Sequence, residues 1–307
     1  MKVYVGVTDS EWFRYLSLRL NTDEVNFWLP SPLNLMTQLH PGDLFLFKLK
    51  HPRNVIAGGG YFARSIVMPV SYAWKAFEDK NGAPTLERLR ANILRLRQRA
   101  QVEWSDFQIG CILLAQPFFF SEKDWFPVPS SWASNIVRGR YYDTGEPDGK
   151  YLWDEVRFRL AGMQQERTLV EEVRDEDPKR RWIIMRPGQG IFRSAVAAAY
   201  GWKCSVTGEK VLPALEAAHI KPFADQGPNV VQNGLLLRAD IHKLLDDGYV
   251  TVSPDYHFKV SRKVREDYEN GRDYYALHDQ QLRLPKHPVE RPSQDFIAWH
   301  NRERFRA

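Results

Sequence analysis

Cysteine is nearly missing from this chain of 307 residues, with only Cys111 and Cys204 present and far apart in sequence. A disulfide-stapled scaffold and a four-cysteine zinc site are both excluded. Long apolar runs are missing too: no stretch approaches the roughly 18 uninterrupted apolar residues a membrane-crossing helix needs, so no membrane partner is expected. The opening MKVYVGVTDSEW does not separate a charged segment from an apolar one, and reads as strand and turn, not as a secretion signal. There is no internal repeat and no low-complexity tract. These absences point to a cytoplasmic protein.

What is present is ordinary for a globular chain, with 43% hydrophobic and 26% charged residues and a length comfortable for two domains, each with its own core. The net charge of +5 is unevenly placed: residues 180–307 hold 20 Lys and Arg against 15 Asp and Glu, while residues 1–179 balance at 23 of each. A basic C-terminal half fits phosphate binding, although a surplus of that size is shared by many proteins that bind none.

Residues 1–160 read as strand-rich, mixed structure. VYVGV, DLFLFKL, VIAGGGYF and IGCILLAQPFFF are short apolar or alternating runs punctuated by Pro, Gly and Asp. Helices are expected over Asp9–Arg19, capped by Asp9 or Ser10, and over Thr85–Ala100, where Leu86, Leu89, Ile93 and Leu96 share a face. The opposite face of the second carries Arg88, Arg90, Arg95, Arg97 and Arg99, either a solvated surface or one that tracks phosphates. Residues 161–180 are polar and charge-rich and read as a linker. Beyond it, residues 181–307 hold an Ala-rich helix over Ile191–Tyr200, a strand in LPALEAAHI, a helix after NGLLLRAD and a hairpin turning at Ser253–Tyr256.

Three residues in this half carry chemistry: His219 in AAHIKP, Asn233 in QNGLLL and His242 in DIHKLLD. A His ending a strand, an Asn in the next loop and a His on a helix suit a one-metal hydrolytic site. Such a site needs a neutral imidazole to take a proton from water and a divalent ion beside the scissile phosphate. It also needs a polar residue to keep the two in register. Glu216 lies on the strand of His219, and Asp246 lies one helical turn beyond His242, so both can bring a carboxylate to the ion. Arg193, Lys221 and Lys243 are candidate phosphate contacts. His257, His278, His287 and His300 read as structural.

The His219, Asn233 and His242 spacing resembles the HNH nuclease family, whose fold is a β-hairpin packed on one helix around a metal. The likeness continues through RPGQGIFR (Arg186–Arg193), CSVTG (Cys204–Gly208), LRLP (Leu282–Pro285) and Trp299–His300. The resemblance implies His219 as general base, Asn233 as orienting residue and His242 as metal ligand with Glu216 or Asp246, holding Mg2+ (or Mn2+). Two departures stand out. Ala218 occupies the place where the family usually has a ligating Asp or His, and the paired Cys-x-x-Cys motifs of a structural zinc are absent, ordinary packing being expected in their stead.

The order VYVGVTDSEWF, NFWLPS, LHPGDLFLFKL, VIAGGGYF, VSYAWKAF resembles the PUA-like superfamily, closest to its EVE branch, several members of which hold a modified or flipped base. The fold class implied is α+β: an N-terminal PUA-like β-barrel domain with flanking helices, then a C-terminal ββα-metal domain. Trp28, Ser31, Lys48, Tyr61 and Trp74 are the candidate lining of a base pocket. A modified-base reader joined to an HNH nuclease is the arrangement of prokaryotic modification-dependent restriction endonucleases. Its partner would be double-stranded DNA containing modified cytosine, and cutting both strands calls for a homodimer. The alternatives are an HNH endonuclease that reads unmodified sequence or structure, and a binding protein whose nuclease half has lost its chemistry.

Overall fold

The computed structural model describes residues 1–19, 22–33, 35–97, 106–167 and 188–307. They form two compact units, Met1–Pro187 and Gly188–Ala307.

The first unit is built on one mixed sheet. Its elements run β1 (Lys2–Thr8), α1 (Ser10–Ser17), β2 (Glu24–Leu29), β3 (Leu44–Leu49), β4 (Val55–Pro69), α2 (Val70–Phe77), α3 (Leu86–Arg97), β5 (Gln108–Phe119), β6 (Phe126–Pro127), β7 (Gly139–Asp143) and α4 (Pro147–Arg167). The strand order is β2-β5-β4-β3-β1-β7, with β6 beside β4. β1 and β3 run parallel, and the other pairs are antiparallel. β3 is buried on both faces, which is why LFLFKL is apolar at every position but Lys48 and does not alternate. Phe45 and Phe47 are fully buried there, each contributing about 1.5–3 kcal/mol through the apolar surface removed from water. The glycines of VIAGGGYF have a steric cause: a Cβ on Gly58 would lie 2.3 Å from the Phe118 carbonyl oxygen, so β4 and β5 can approach only without one.

The expected closed barrel is not formed. Among the described residues no pairing joins the β2 and β7 ends, and the sheet stays open. An indole, not a further strand, meets the backbone of β2, where Asn26 O accepts from Trp12 Nε1 at 3.1 Å. α1 starts as its sequence requires, with the Asp9 carboxylate accepting from the Glu11 and Trp12 amides. α3 buries Leu89 and Ile93, and its arginines are engaged within the unit: Arg88 with Glu11 (3.0 Å), Arg95 with Asp9 (3.6 Å) and Arg97 with the Pro30 and Gln108 carbonyls (both 2.6 Å). They brace α3 against its own unit. Arg99 and Ala100 lie outside the described residues. The first part of the expected linker continues α4 to Arg167, and residues 168–180 lie outside the described residues, as do Arg186 and Pro187 of the RPGQGIFR segment.

The second unit begins with α5 (Gln189–Ala199), followed by the hairpin β8 (Leu215–His219) and β9 (Gly234–Arg238), then α6 (Ala239–Asp246). A second hairpin, β10 (Val250–Val252) and β11 (Phe258–Val260), turns at Ser253–Tyr256 as expected. Short helices α7 (Lys263–Tyr268) and α8 (Arg272–Tyr275) and a terminal α9 (Gln294–Glu303) complete it. Among the described residues no helix is long and apolar enough to cross a membrane.

Candidate active site

β8 and β9 pair antiparallel, with Ala218 opposite Leu235 and His219 opposite Gly234. Gly234 is where the hairpin touches α5, since a Cβ there would sit 2.3 Å from Val196 Cγ2 and 3.2 Å from the Phe192 ring. Glycine admits α5 against the strand, and that brings the Phe192 ring flat onto the His219 imidazole, with centroids 3.9 Å apart and planes 10° from parallel.

Under that cover burial lowers the pKa of His219 from its ordinary 6.5, because a charged ring would forgo hydration. A hydrogen bond to Asn229 opposes the shift, His242 and Arg193 deepen it, and Asp246 opposes it. The result is an imidazole held toward its neutral form, the state a general base requires. Its Nε2 lies 2.8 Å from Asn229 Oδ1.

Asn233 is fully buried and acts on backbone. Its Oδ1 accepts from the Lys221 amide (2.8 Å), and its Nδ2 donates to the carbonyls of Lys221 (2.9 Å) and Pro228 (3.0 Å). It clasps the two arms of the loop that follows His219.

His242 stands on α6 between two carboxylates. Its Nδ1 is 2.7 Å from Glu216 Oε2 on β8, and its Nε2 is 3.4 Å from Asp246 Oδ2 one turn along the helix. Ala218 is fully buried and brings no donor atom to the place of the family's usual ligand. Among the described residues no three His, Cys, Asp or Glu side chains close on a common point as a metal cage does. Two donors are nonetheless spaced for a shared ion. The 3.4 Å between His242 Nε2 and Asp246 Oδ2 is close to the separation of adjacent ligands each about 2.1 Å from a small divalent cation. Glu216, on the other ring nitrogen, has the position of a carboxylate that orients a ligating imidazole.

Of the candidate phosphate contacts, Arg193 is exposed on α5, and its charge is felt at His219. Lys221 lies over the Trp299 ring at 5.5 Å, and Lys243 is paired with Asp247 at 2.8 Å. His300, read as structural, is buried between Thr251 Oγ1 (2.8 Å) and the Leu245 carbonyl (3.1 Å). The segment around Cys204 is held by backbone bonds: Cys204 is a buried free thiol, Ser205 N donates to Leu236 O (2.7 Å), and Arg283 N donates to Ser205 O (2.8 Å). The sequence did not point to Phe192 or Asn229. Phe192 looked like one more apolar residue of an Ala-rich helix, and Asn229 like one more loop polar residue.

In the first unit a cavity of about 990 Å3 is walled by Tyr4, Trp12, Phe27 and Trp28, with Ser31 and Asp9 among its polar lining. Trp28 is 7% exposed and fixed by its indole N–H on Asn81 O (3.0 Å). Lys48, Tyr61 and Trp74 do not line this cavity. The Lys48 ammonium is buried against Asn54 Oδ1 (2.6 Å), and burial lowers its pKa; Tyr61 packs near Phe118; Trp74 is half-buried on α2. The five residues expected to form one pocket are thus not brought together.

The HNH endonuclease family matches residues 204–253, the segment from Cys204 through His219, Asn233 and His242 to the end of β10. The second unit carries an HNH endonuclease domain. The chain is accordingly a DNA endonuclease, a hydrolase of phosphodiester bonds. Among solved structures, one described as a modification dependent TagI restriction endonuclease is 14% identical, covers 92% of this chain and 75% of its own, and has a TM-score of 0.27. No curated protein matches the chain.

Proposed function

We propose that this endonuclease is a modification-dependent restriction enzyme of prokaryotic defence against phage or other foreign DNA, its HNH unit cutting DNA whose modified cytosine the first unit has recognised. The observation that carries the hydrolytic half is His219, stacked on Phe192 and held toward its neutral form by burial, on the same strand as Glu216 and within electrostatic reach of His242 and Asp246. In the reaction His219 accepts a proton from the attacking water, whose oxygen bonds to phosphorus as the bond to the leaving oxygen breaks. His242 and Asp246 would hold a divalent ion, Mg2+ or Mn2+, with Glu216 fixing the His242 ring. Once bound, such an ion supplies Lewis-acid stabilisation of the charge on the phosphate. Arg193 steadies the same phosphate from α5, and Asn233 holds the loop that frames the base.

The reading half rests on the cavity. Its volume falls in the range of small-ligand sites, and aromatic walls with a few polar groups suit a base taken out of the helix. Trp28 and Ser31 are its proposed contacts, in an open-sheet variant of the PUA-like arrangement. One HNH site cuts one strand, so a double-strand break needs two copies, and a homodimer is proposed. The test is digestion of matched DNAs that differ only in cytosine modification, with Mg2+ or Mn2+. Cutting confined to modified DNA supports the reading. Equal cutting of plain DNA replaces it with a reader of sequence or structure, and no cutting of any substrate removes the nuclease.

A further inference from the structure

The loop between β8 and β9 spans Ile220–Asn233, and its hydrogen bonds are unevenly directed. Asn233 takes the Pro228 carbonyl with its side chain (3.0 Å) and the Val230 carbonyl with its amide (3.0 Å). Gly227 N donates to Pro222 O at 2.9 Å, tightening the same loop. Both neighbours of Asn229 are thereby pinned at their carbonyls by Asn233, one by its side chain and one by its backbone amide. The half-buried Asn229 side chain points to the His219 ring, its Oδ1 2.8 Å from Nε2.

We propose that Asn229 is the positioning residue that sets the tautomer of the general base. An amide oxygen can only accept, so a neutral His219 must carry its proton on Nε2 to satisfy that contact, and Nδ1 is left with the lone pair. The base is then Nδ1, and the proton it takes from water yields an imidazolium whose Nε2–H remains bonded to Asn229. Phe192 fixes the plane of the ring and Asn229 fixes its rotation within that plane. The linkage runs from Asn233 through the loop backbone to Asn229 and on to His219, giving the buried Asn233 a catalytic consequence although it touches no reacting atom. An uncharged partner also suits the electrostatics. A carboxylate here would raise the His219 pKa further than Asp246 on α6 already does, against the opposing charges of Arg193 on α5 and His242.

The inference rests on the nuclease reading for its effect on rate, but its structural core is testable without activity. In the full-length chain with 15N-labelled histidine, the ring signals of His219, assigned by their loss in His219→Ala, are expected to show the Nε2–H tautomer. In Asn229→Ala they should move toward a tautomer mixture, with the thermal midpoint unchanged because the loop is held by Asn233. The single-turnover cleavage rate of Asn229→Ala should fall roughly 10- to 100-fold with DNA affinity unchanged, within the contribution a positioned general base makes. Asn229→Asp keeps an acceptor on Nε2, so at about pH 8.5, well above the imidazole range, it should restore most of the rate. An Nδ1–H tautomer in the wild type, or an unchanged tautomer in Asn229→Ala, overturns the proposal. If the tautomer behaves as expected while His219→Ala still cuts at full rate, it is the nuclease assignment that fails, and the two failures are told apart.

Discussion

The pockets around His219 and His300 are alike in one respect and opposite in another. Burial lowers the pKa of both rings, so both are held neutral. His300 has both nitrogens engaged, Nδ1 with Thr251 and Nε2 with Leu245 O, and it ties α9 to β10 and α6. His219 has Asn229 on Nε2, while an aromatic ring covers one face. Desolvation alone therefore does not make a base. What separates the structural histidine from the proposed base is whether a nitrogen is left for a proton from outside.

The sharpest way to break this contrast is His219→Ala. Single-turnover cleavage is expected to fall about 10²–10⁴-fold, the usual contribution of a general base, with DNA affinity largely unchanged. Cleavage within a few-fold of wild type would place the base elsewhere. Next come the carboxylates of His242. Asp246→Asn should raise the metal concentration for half-maximal cutting about 10- to 100-fold, and Glu216→Gln should raise it less, because Glu216 touches the ring on the side away from Asp246. The reverse ranking, read from metal titrations of both variants, would make Glu216 the ligand and Asp246 the outer partner.

His300→Ala belongs at the stability end. It leaves Thr251 and the Leu245 carbonyl without their partner, a loss of about 1–3 kcal/mol, so denaturant melts should shift while the rate per folded molecule stays near wild type. Acidification adds a related effect. Both rings have folded pKa values below the unfolded 6.5, so the unfolded chain takes up protons first; their contribution is fully present above 6.5 and is lost as pH falls from there toward the lowered folded values. The smallest effect is expected from Arg88→Gln with Arg95→Gln. Those side chains answer Asp9 and Glu11, so DNA affinity should change by less than about threefold, whereas a large loss of salt-dependent binding would restore the phosphate-tracking role to α3.

How far the sequence carries these distinctions depends on the range of the interaction. Local signals were legible: the Asp9 cap, the apolar β3 run, the hairpin turn at Ser253–Tyr256 and the one-turn step from His242 to Asp246. The match over residues 204–253 falls on the segment where motif spacing pointed to HNH chemistry. Contacts between distant segments were not legible. Nothing in an Ala-rich helix announces that Phe192 will cover His219, or that Gly234 is glycine to admit Val196. Closure of the N-terminal strands into a barrel also depends on what meets the sheet edges, and at β2 that is the Trp12 indole. The base pocket was the least legible, because aromatic residues on strands divide between core and cavity only in three dimensions. Trp28 went to the cavity wall, and Tyr61 and Trp74 did not.

One measurement tests the central claim, a neutral His219 acting as base, most directly: the single-turnover cleavage rate of modified DNA by the wild-type enzyme as a function of pH, at saturating metal. The expected profile is a plateau at neutral pH whose acid limb lies below 6.5, in keeping with the lowered pKa of the covered ring. A rate that does not decline on acidification, or an acid limb displaced above 6.5, would contradict it.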